Sequence, residues 1–264
     1  MDAKNEIMGI VGRCIYCGTK DRNLSNEHVL PLGLGGIWVL GKASCPKCQK
    51  ITSRFELDVL RHTLLPVRAK VDLPTRHRNK RPIEFPLTIE KGGKELTINL
   101  PIDQYPAILA LPRFKLPAYI DKRPCDRGID LNGLYHILLG CKSLREVGRD
   151  LNADRLTYTI TYKGFKGGFS FARLLAKIGY GMAIARYGAN VIDTAYVLEA
   201  ILGKSDNVGK WVGTEGESSS TAGRLHDARI SVENDDIYVR IRLFACLPGT
   251  CPVYLVVVGS VPTT

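Results

Sequence analysis

The chain has 264 residues, 45% hydrophobic and 24% charged, and a formal net charge of +11. This composition excludes a disordered or collagen-like protein, and no apolar run reaches the roughly 18 residues that a membrane-spanning helix needs. The N-terminal residues lack the apolar core of a secretory signal. We therefore expect a soluble cytoplasmic protein without a membrane partner, and the excess of Lys and Arg favours a polyanionic partner such as nucleic acid.

Two Cys-x-x-Cys pairs are the first feature along the chain. Cys14 and Cys17 form one pair, Cys45 and Cys48 form the other, and 27 residues separate them. In a reducing compartment such pairs indicate a metal more often than disulfides. Four thiolates make a closed tetrahedral site for Zn²⁺, so we predict one structural zinc held by all four cysteines. The alternative is two incidental pairs.

The stretch between and after the pairs predicts a strand, a loop, a second strand and a helix. Residues 26–30 favour a strand, the Pro31 to Gly36 segment a loop, and Ile37 to Leu40 a short strand. Pro46 suits the first turn of a helix because its missing N–H is harmless there. Apolar residues then recur at helical spacing up to Pro66, which we expect to end the pattern.

The combined motif C-x2-C, E-H-x-x-P, L-G-G and A-S-C-x-x-C resembles the HNH endonuclease family, in its branch with four zinc-binding cysteines. The resemblance covers residues 12–65 and implies a ββα-metal fold around one catalytic divalent ion, Mg²⁺ or Mn²⁺. It implies that His28 is the general base that activates the attacking water. It also implies that Glu27 is a ligand of the catalytic metal, which neutralises charge on the scissile phosphate.

Two positions depart from the family pattern. Gln49 follows the last cysteine, where the family has an Asn or His that binds the metal. Its amide oxygen remains a candidate ligand, one methylene farther from the backbone. The Asn expected shortly before the second cysteine pair is missing, and Lys42 or Ser44 occupies that region. We expect Lys42 to contact phosphate, although it cannot orient His28 as an amide would.

A basic segment follows the helix. We predict that its Arg76, Arg78, Lys80 and Arg81 contact the phosphates of a nucleic acid, with DNA favoured over RNA. A solvated linker is the alternative, since that is the usual role of a charge run. No aromatic residues interleave, so base stacking is not expected on this segment.

The rest of the chain predicts an α+β domain with antiparallel strands. A hairpin is expected over residues 83–100 and an amphipathic helix from Ser170 to the cap at Gly188, with a shorter helix from Asp193 to Leu202. Residues 204–222, rich in Gly and Ser, favour an exposed loop. Further strands are predicted over 105–112, 155–164, 229–233, 237–245 and 252–258.

These expectations combine into an α+β protein of three segments. Residues 10–66 form a zinc-stapled HNH-like nuclease module, residues 67–82 a basic connector, and residues 83–264 an α+β domain of undisclosed role. The predicted function is metal-dependent hydrolysis of nucleic-acid phosphodiester bonds. The alternative is a catalytically inactive, zinc-dependent nucleic-acid-binding module. A third possibility is a structural zinc protein that meets another protein through its C-terminal sheet.

Overall fold

The computed structural model describes residues 5–20, 22–140, 144–157, 168–190 and 192–262. Its first elements are three strands and two helices joined by a π-helical turn, Val59–Thr63. The strands are β1 (Glu6–Ile10), β2 (Ser25–His28) and β3 (Trp38–Ser44), and the helices are α1 (Pro46–Asp58) and α2 (Leu65–Lys70). The sheet order is β1-β3-β2, with β1 parallel and β2 antiparallel to β3. The predicted order of strand, loop, strand and helix is confirmed, while its assignment to an HNH-type module stays a prediction.

The middle of the chain contributes two small antiparallel sheets and one helix. Its elements are β4 (Glu84–Lys91), β5 (Lys94–Pro101), β6 (Ala107–Phe114), β7 (Leu131–Leu139), α3 (Leu144–Asp150) and β8 (Arg155–Thr157). One sheet has the order β5-β4-β8, and the other pairs β6 with β7. The hairpin over residues 83–100 is confirmed, with its turn at Gly92 and Gly93. The strand predicted over 155–164 is observed as far as Thr157, and its remainder lies outside the described residues.

The last part of the chain packs a long helix against a four-stranded antiparallel sheet. Its elements are α4 (Phe169–Tyr187), α5 (Leu198–Leu202), β9 (Val212–Ser219), β10 (His226–Glu233), β11 (Asp236–Leu243) and β12 (Thr250–Ser260). The sheet order is β10-β11-β12-β9. The molecule is therefore α+β with antiparallel sheets, as predicted. Within the described residues, no helix is long and apolar enough to cross a membrane.

Helix α4 lies at the centre of the core. It packs on α1 from one side and on β11 and β12 from the other. Its side chains are buried around most of its circumference, including Lys177. The predicted helix is confirmed, and it is less amphipathic than expected because neighbours on two sides leave little of it facing water. The glycines of α4 allow close packing: a Cβ on Gly179 would lie 2.9 Å from the Val256 side chain, and one on Gly181 would lie 3.3 Å from the Val29 backbone.

One large cluster of buried side chains runs from Cys14 to Val258 and includes residues of α1, α4 and the four-stranded sheet. The cysteine pairs and the helix after them thus share a core with the C-terminal elements. The division into residues 10–66, 67–82 and 83–264 stays a prediction. Since α4 contacts both parts, side chains of the C-terminal part can enter a site on the N-terminal part.

Several predicted boundaries are wrong. Pro66 does not end the helical region, because it lies in the first turn of α2, where a proline costs no hydrogen bond. Helix α4 begins at Phe169 after Gly168 and is not capped by Ser170, and only Leu198–Leu202 of the second predicted helix is helical. The loop predicted over 204–222 contains strand β9. Its Gly213 serves close packing rather than flexibility, since a Cβ there would lie 2.3 Å from the Lys115 carbonyl oxygen.

Candidate active site

The four predicted zinc ligands meet in one cluster. The sulfurs of Cys14, Cys17, Cys45 and Cys48 all lie within 4.8 Å of one another, and the Cys17 and Cys45 sulfurs are 3.7 Å apart. A zinc ion with four Zn–S bonds of about 2.3 Å places its sulfurs about 3.8 Å apart. The four thiols therefore fit a tetrahedral zinc ion and can hold such a metal.

Local backbone geometry brings the two pairs together. The first pair forms a tight turn in which the Gly18 N–H donates to the Cys14 carbonyl, and Gly18 adopts φ +75°, a conformation that favours glycine. The second pair opens α1, with Cys45 as the N-cap and Cys48 in the first turn. The Ile15 N–H donates to the Ala43 carbonyl at 2.8 Å, which joins the first turn to the end of β3. The four-cysteine cluster thus lies where β3 passes into α1.

Strand β2 carries Glu27 and His28 beside this cluster. Its pairing with β3 is irregular: Ser25 lies opposite Ser44, whereas Glu27 lies opposite Leu40. Lys42 adopts φ +46° within the extra residues of β3. Its backbone N–H donates to Asn26 Oδ1 at 3.2 Å. Lys42 is exposed and does not line the cavity described below, so the structure does not bring it to Glu27 and His28.

The His28 imidazole is half-buried, with Nε2 lying 3.4 Å from Asn5 Oδ1. Burial lowers the pKa of His28, and the charges of Lys177 and Arg76 lower it further, while Glu27 opposes the shift. A His pKa below its usual value of about 6.5 leaves the ring neutral at pH 7. A neutral imidazole is the form that accepts a proton from water.

Glu27 is buried and forms an ion pair that the sequence did not predict. Lys177 Nζ of α4 lies 2.7 Å from Glu27 Oε1 and 2.5 Å from Glu56 Oε1. The same ammonium donates to the His28 carbonyl oxygen at 2.8 Å. Tyr16 is also buried beside the two carboxylates, and burial followed by their charge raises the pKa of its hydroxyl. One lysine therefore fixes β2 against α1.

Glu27 and His28 line a cavity of about 350 Å³ between β2, α1 and the segment after α2. Its charged lining consists of two carboxylates and four cations: Glu27, Glu56, Arg61, Arg68, Arg76 and Lys177. Gln49 and His77 line it as well. Among these six side chains, the cations exceed the carboxylates by two. Such a cavity suits an anion of the size of a phosphodiester group.

Arg68 braces the mouth of this cavity. It is 9% exposed and donates to the carbonyl oxygens of Gly33, Leu60 and Pro74 at 2.5, 3.1 and 3.1 Å. Burial, and then the charge of Arg81, lower the pKa of Arg68 to about 10, so it stays cationic at pH 7. Gly36, in the same loop, has its backbone against residue 30: a Cβ at this position would lie 1.9 Å from the Leu30 carbonyl oxygen. The loop is therefore closely packed, and its Pro31, Leu32 and Gly33 line the cavity.

Of the four residues of the basic segment predicted to contact nucleic acid, the structure brings only Arg76 to the cavity. Arg76 is exposed and lines it. Arg78 and Arg81 both pair with Asp72, and Arg81 also donates to the Leu73 carbonyl, so these two side chains order their own segment. Lys80 is exposed and lies outside the lining.

Glu27 is chemically suited to bind a metal ion, but it is not part of a ready-formed group of metal ligands in the described part of the chain. Within the described residues, the four cysteines are the only group of three or more His, Cys, Asp and Glu side chains placed to hold an ion. Glu27 and Gln49 offer a carboxylate and an amide oxygen in one cavity. Mg²⁺ takes oxygen ligands, often one or two carboxylates with water and substrate phosphate completing the shell. The donors therefore fit a divalent ion that binds together with a substrate.

Sequence reasoning missed Glu56, Lys177 and His77. Glu56 follows Gln49 by seven residues in α1, so the helical period already places both on one face. Lys177 interrupts an otherwise apolar stretch, which marks it as unusual but does not reveal its partners. His77 stood within the basic run and carried no distinguishing signal.

Comparison of the chain with protein-family models, with curated proteins and with solved structures finds no match in any of the three. The functional inference is therefore based on the geometry and chemistry of the cavity.

Proposed function

We propose that this protein is a metal-dependent endonuclease that hydrolyses phosphodiester bonds in the cavity lined by Glu27 and His28. The observation that supports the proposal best is that His28, whose pKa is lowered, and the buried carboxylate of Glu27 line one cavity with more cations than carboxylates, near a four-cysteine cluster. The resemblance of the sequence motif to the HNH family implies catalytic roles for the same two residues.

In this proposal, His28 accepts a proton from the attacking water, and Arg76 and Arg61 attract the phosphate to the cavity mouth. Glu27 and Gln49 hold a divalent ion, which supplies Lewis-acid stabilisation of the charge that develops on the phosphate. The four-cysteine zinc holds β3 and α1 together, and Lys177 holds β2 against α1. Because the four cationic side chains surround the site, binding is expected to weaken with added salt.

The alternative proposal is a nucleic-acid-binding module that does not cleave. One observation favours it: Lys177 already forms an ion pair with Oε1 of Glu27, the carboxylate that would bind a catalytic ion. Such a module would keep its zinc and its salt-dependent affinity and lack turnover under every metal condition.

A cleavage panel separates the two proposals. Supercoiled plasmid, linear duplex, single-stranded DNA and RNA are incubated with the zinc-loaded protein in Mg²⁺, in Mn²⁺ and without added divalent ion, and binding is measured in parallel by fluorescence anisotropy. The endonuclease proposal predicts divalent-dependent cleavage that Glu27→Gln abolishes. Binding without cleavage in any condition would favour the module, and absence of both would reject the two proposals together.

A further inference from the structure

Lys177 is the most deeply buried charged side chain of the cavity, at 2% exposure. Its ammonium has three N–H donors, and it has three acceptors: Glu27 Oε1 at 2.7 Å, Glu56 Oε1 at 2.5 Å and the His28 carbonyl at 2.8 Å. Burial by itself lowers the pKa of Lys177, but the two carboxylates raise it above the usual value, so the lysine is cationic. All its hydrogen-bonding capacity is used inside the protein.

This arrangement has a consequence for any divalent ion. Lys177 already binds the nearest oxygen of Glu27. A divalent ion beside Glu27 would therefore lie within a few ångströms of a fixed positive charge. Repulsion between a dication and an ammonium at such a distance is substantial even in a polar environment. Arg68 and Arg76 in the same lining add to it. A phosphodiester adds a negative charge, which reduces this repulsion, and oxygen atoms that can complete the shell of the ion.

We propose that the Lys177 ammonium occupies the Glu27 carboxylate in the free protein, so that a divalent ion binds Glu27 only together with a substrate phosphate. The inference rests on the proposed function, since it concerns the same site. It makes Lys177 a positioning residue that acts through Glu27. It also predicts that nucleic acid and the divalent ion bind together, whereas the free protein binds zinc only.

The test measures Mn²⁺ binding, not activity, on the full-length zinc-loaded chain. Electron paramagnetic resonance of free Mn²⁺ gives the affinity with and without a short phosphorothioate-linked duplex, after subtraction of the Mn²⁺ bound by the duplex alone. The informative pair is Glu56→Gln against Glu56→Gln/Lys177→Met. The double variant has the same net charge as the wild-type trio, because one negative and one positive charge are removed, but its Glu27 is released from the ammonium.

Without nucleic acid, the double variant is expected to bind Mn²⁺ at least about tenfold more tightly than the wild type and than Glu56→Gln. With the duplex, the wild type is expected to gain at least about tenfold. Lys50→Met removes an exposed lysine of α1 that does not line the cavity, and it is expected to bind as the wild type does. Glu27→Gln in the double variant should abolish the gain, which locates the ion at Glu27.

Zinc content and circular dichroism verify the fold of each variant. If the methionine variant does not fold, Glu56→Gln/Lys177→Gln, which retains a neutral hydrogen-bond donor, takes its place with the same expected direction. Equal Mn²⁺ affinity of the folded double variant and the wild type without nucleic acid overturns the inference. A protein that binds and cleaves none of the nucleic acids of the cleavage panel refutes the proposed function instead, while the comparison without nucleic acid still decides the role of Lys177.

Discussion

His226 provides a quantitative test of how the cavity wall is attached to the rest of the protein. Its Nε2 lies 2.8 Å from the Leu34 carbonyl oxygen, and its Nδ1 accepts a hydrogen bond from the Phe244 N–H at 3.1 Å. These two partners are satisfied together only by the neutral ring with its proton on Nε2. Burial lowers the pKa of His226 to about 4, although the bond to Leu34 opposes the shift. Protonation of Nδ1 removes the acceptor of the Phe244 N–H.

The sign of the pH dependence follows from the two pKa values. A histidine has a pKa of about 6.5 in the unfolded chain, against about 4 in the folded protein. Between these values the unfolded state binds more protons, so the contribution of His226 to stability is complete above about pH 6.5 and is lost as the pH falls. From pH 7.5 to pH 5 the loss amounts to about 2 kcal/mol in the free energy of unfolding.

Urea unfolding of the wild type and of His226→Gln at several pH values measures this loss. The variant cannot titrate and its amide keeps one donor and one acceptor, so its stability should fall by about 2 kcal/mol less than that of the wild type over this range. The difference between the two proteins is the relevant quantity, because His28, whose pKa is also lowered, affects both equally. If the free energy of unfolding of the two proteins changes with pH in parallel, the assignment of this pH dependence to His226 is refuted.

The remaining predictions concern the four-cysteine cluster and Arg76. Purified protein should contain about one equivalent of zinc by mass spectrometry, and Cys45→Ser should lose it and lower the melting temperature, because metal binding contributes to the free energy of folding; a wild type without zinc would contradict this. Arg76→Gln should reduce the slope of log affinity for duplex DNA against log salt by about 1, whereas Lys94→Gln, at an exposed hairpin turn, should leave it unchanged. Equal slopes for both variants would make Arg76 a solvated residue.

The four-cysteine cluster could be predicted from the sequence because coordination chemistry restricts the spacing of metal-binding cysteines. Two residues between paired cysteines allow both to bind one ion, and this constraint does not depend on the surrounding fold. The positions of Glu27 and His28 near the cluster followed from the same short stretch of chain. Local motifs of this kind are readable because the residues that cooperate are close in sequence.

The rest of the site could not be predicted, because it depends on long-range packing. Lys177 lies 150 residues after Glu27, and its burial follows from the packing of α4 between α1 and the four-stranded sheet. The strand at 212–219 was missed for a related reason: Gly213 looked like a loop residue, whereas the backbone at Lys115 approaches it too closely for a side chain. In both cases a neighbour distant in sequence determined the structure.

The most direct test of the central proposal is the single-turnover rate of phosphodiester cleavage by the wild type and by His28→Ala. Both zinc-loaded proteins are compared in saturating Mn²⁺ on the best substrate of the panel. General-base catalysis contributes about 10²–10⁴-fold, so the variant should keep its zinc and its substrate affinity and lose about that factor in rate. Equal rates for the two proteins, or no cleavage by the wild type on any substrate, would contradict the catalytic role of His28.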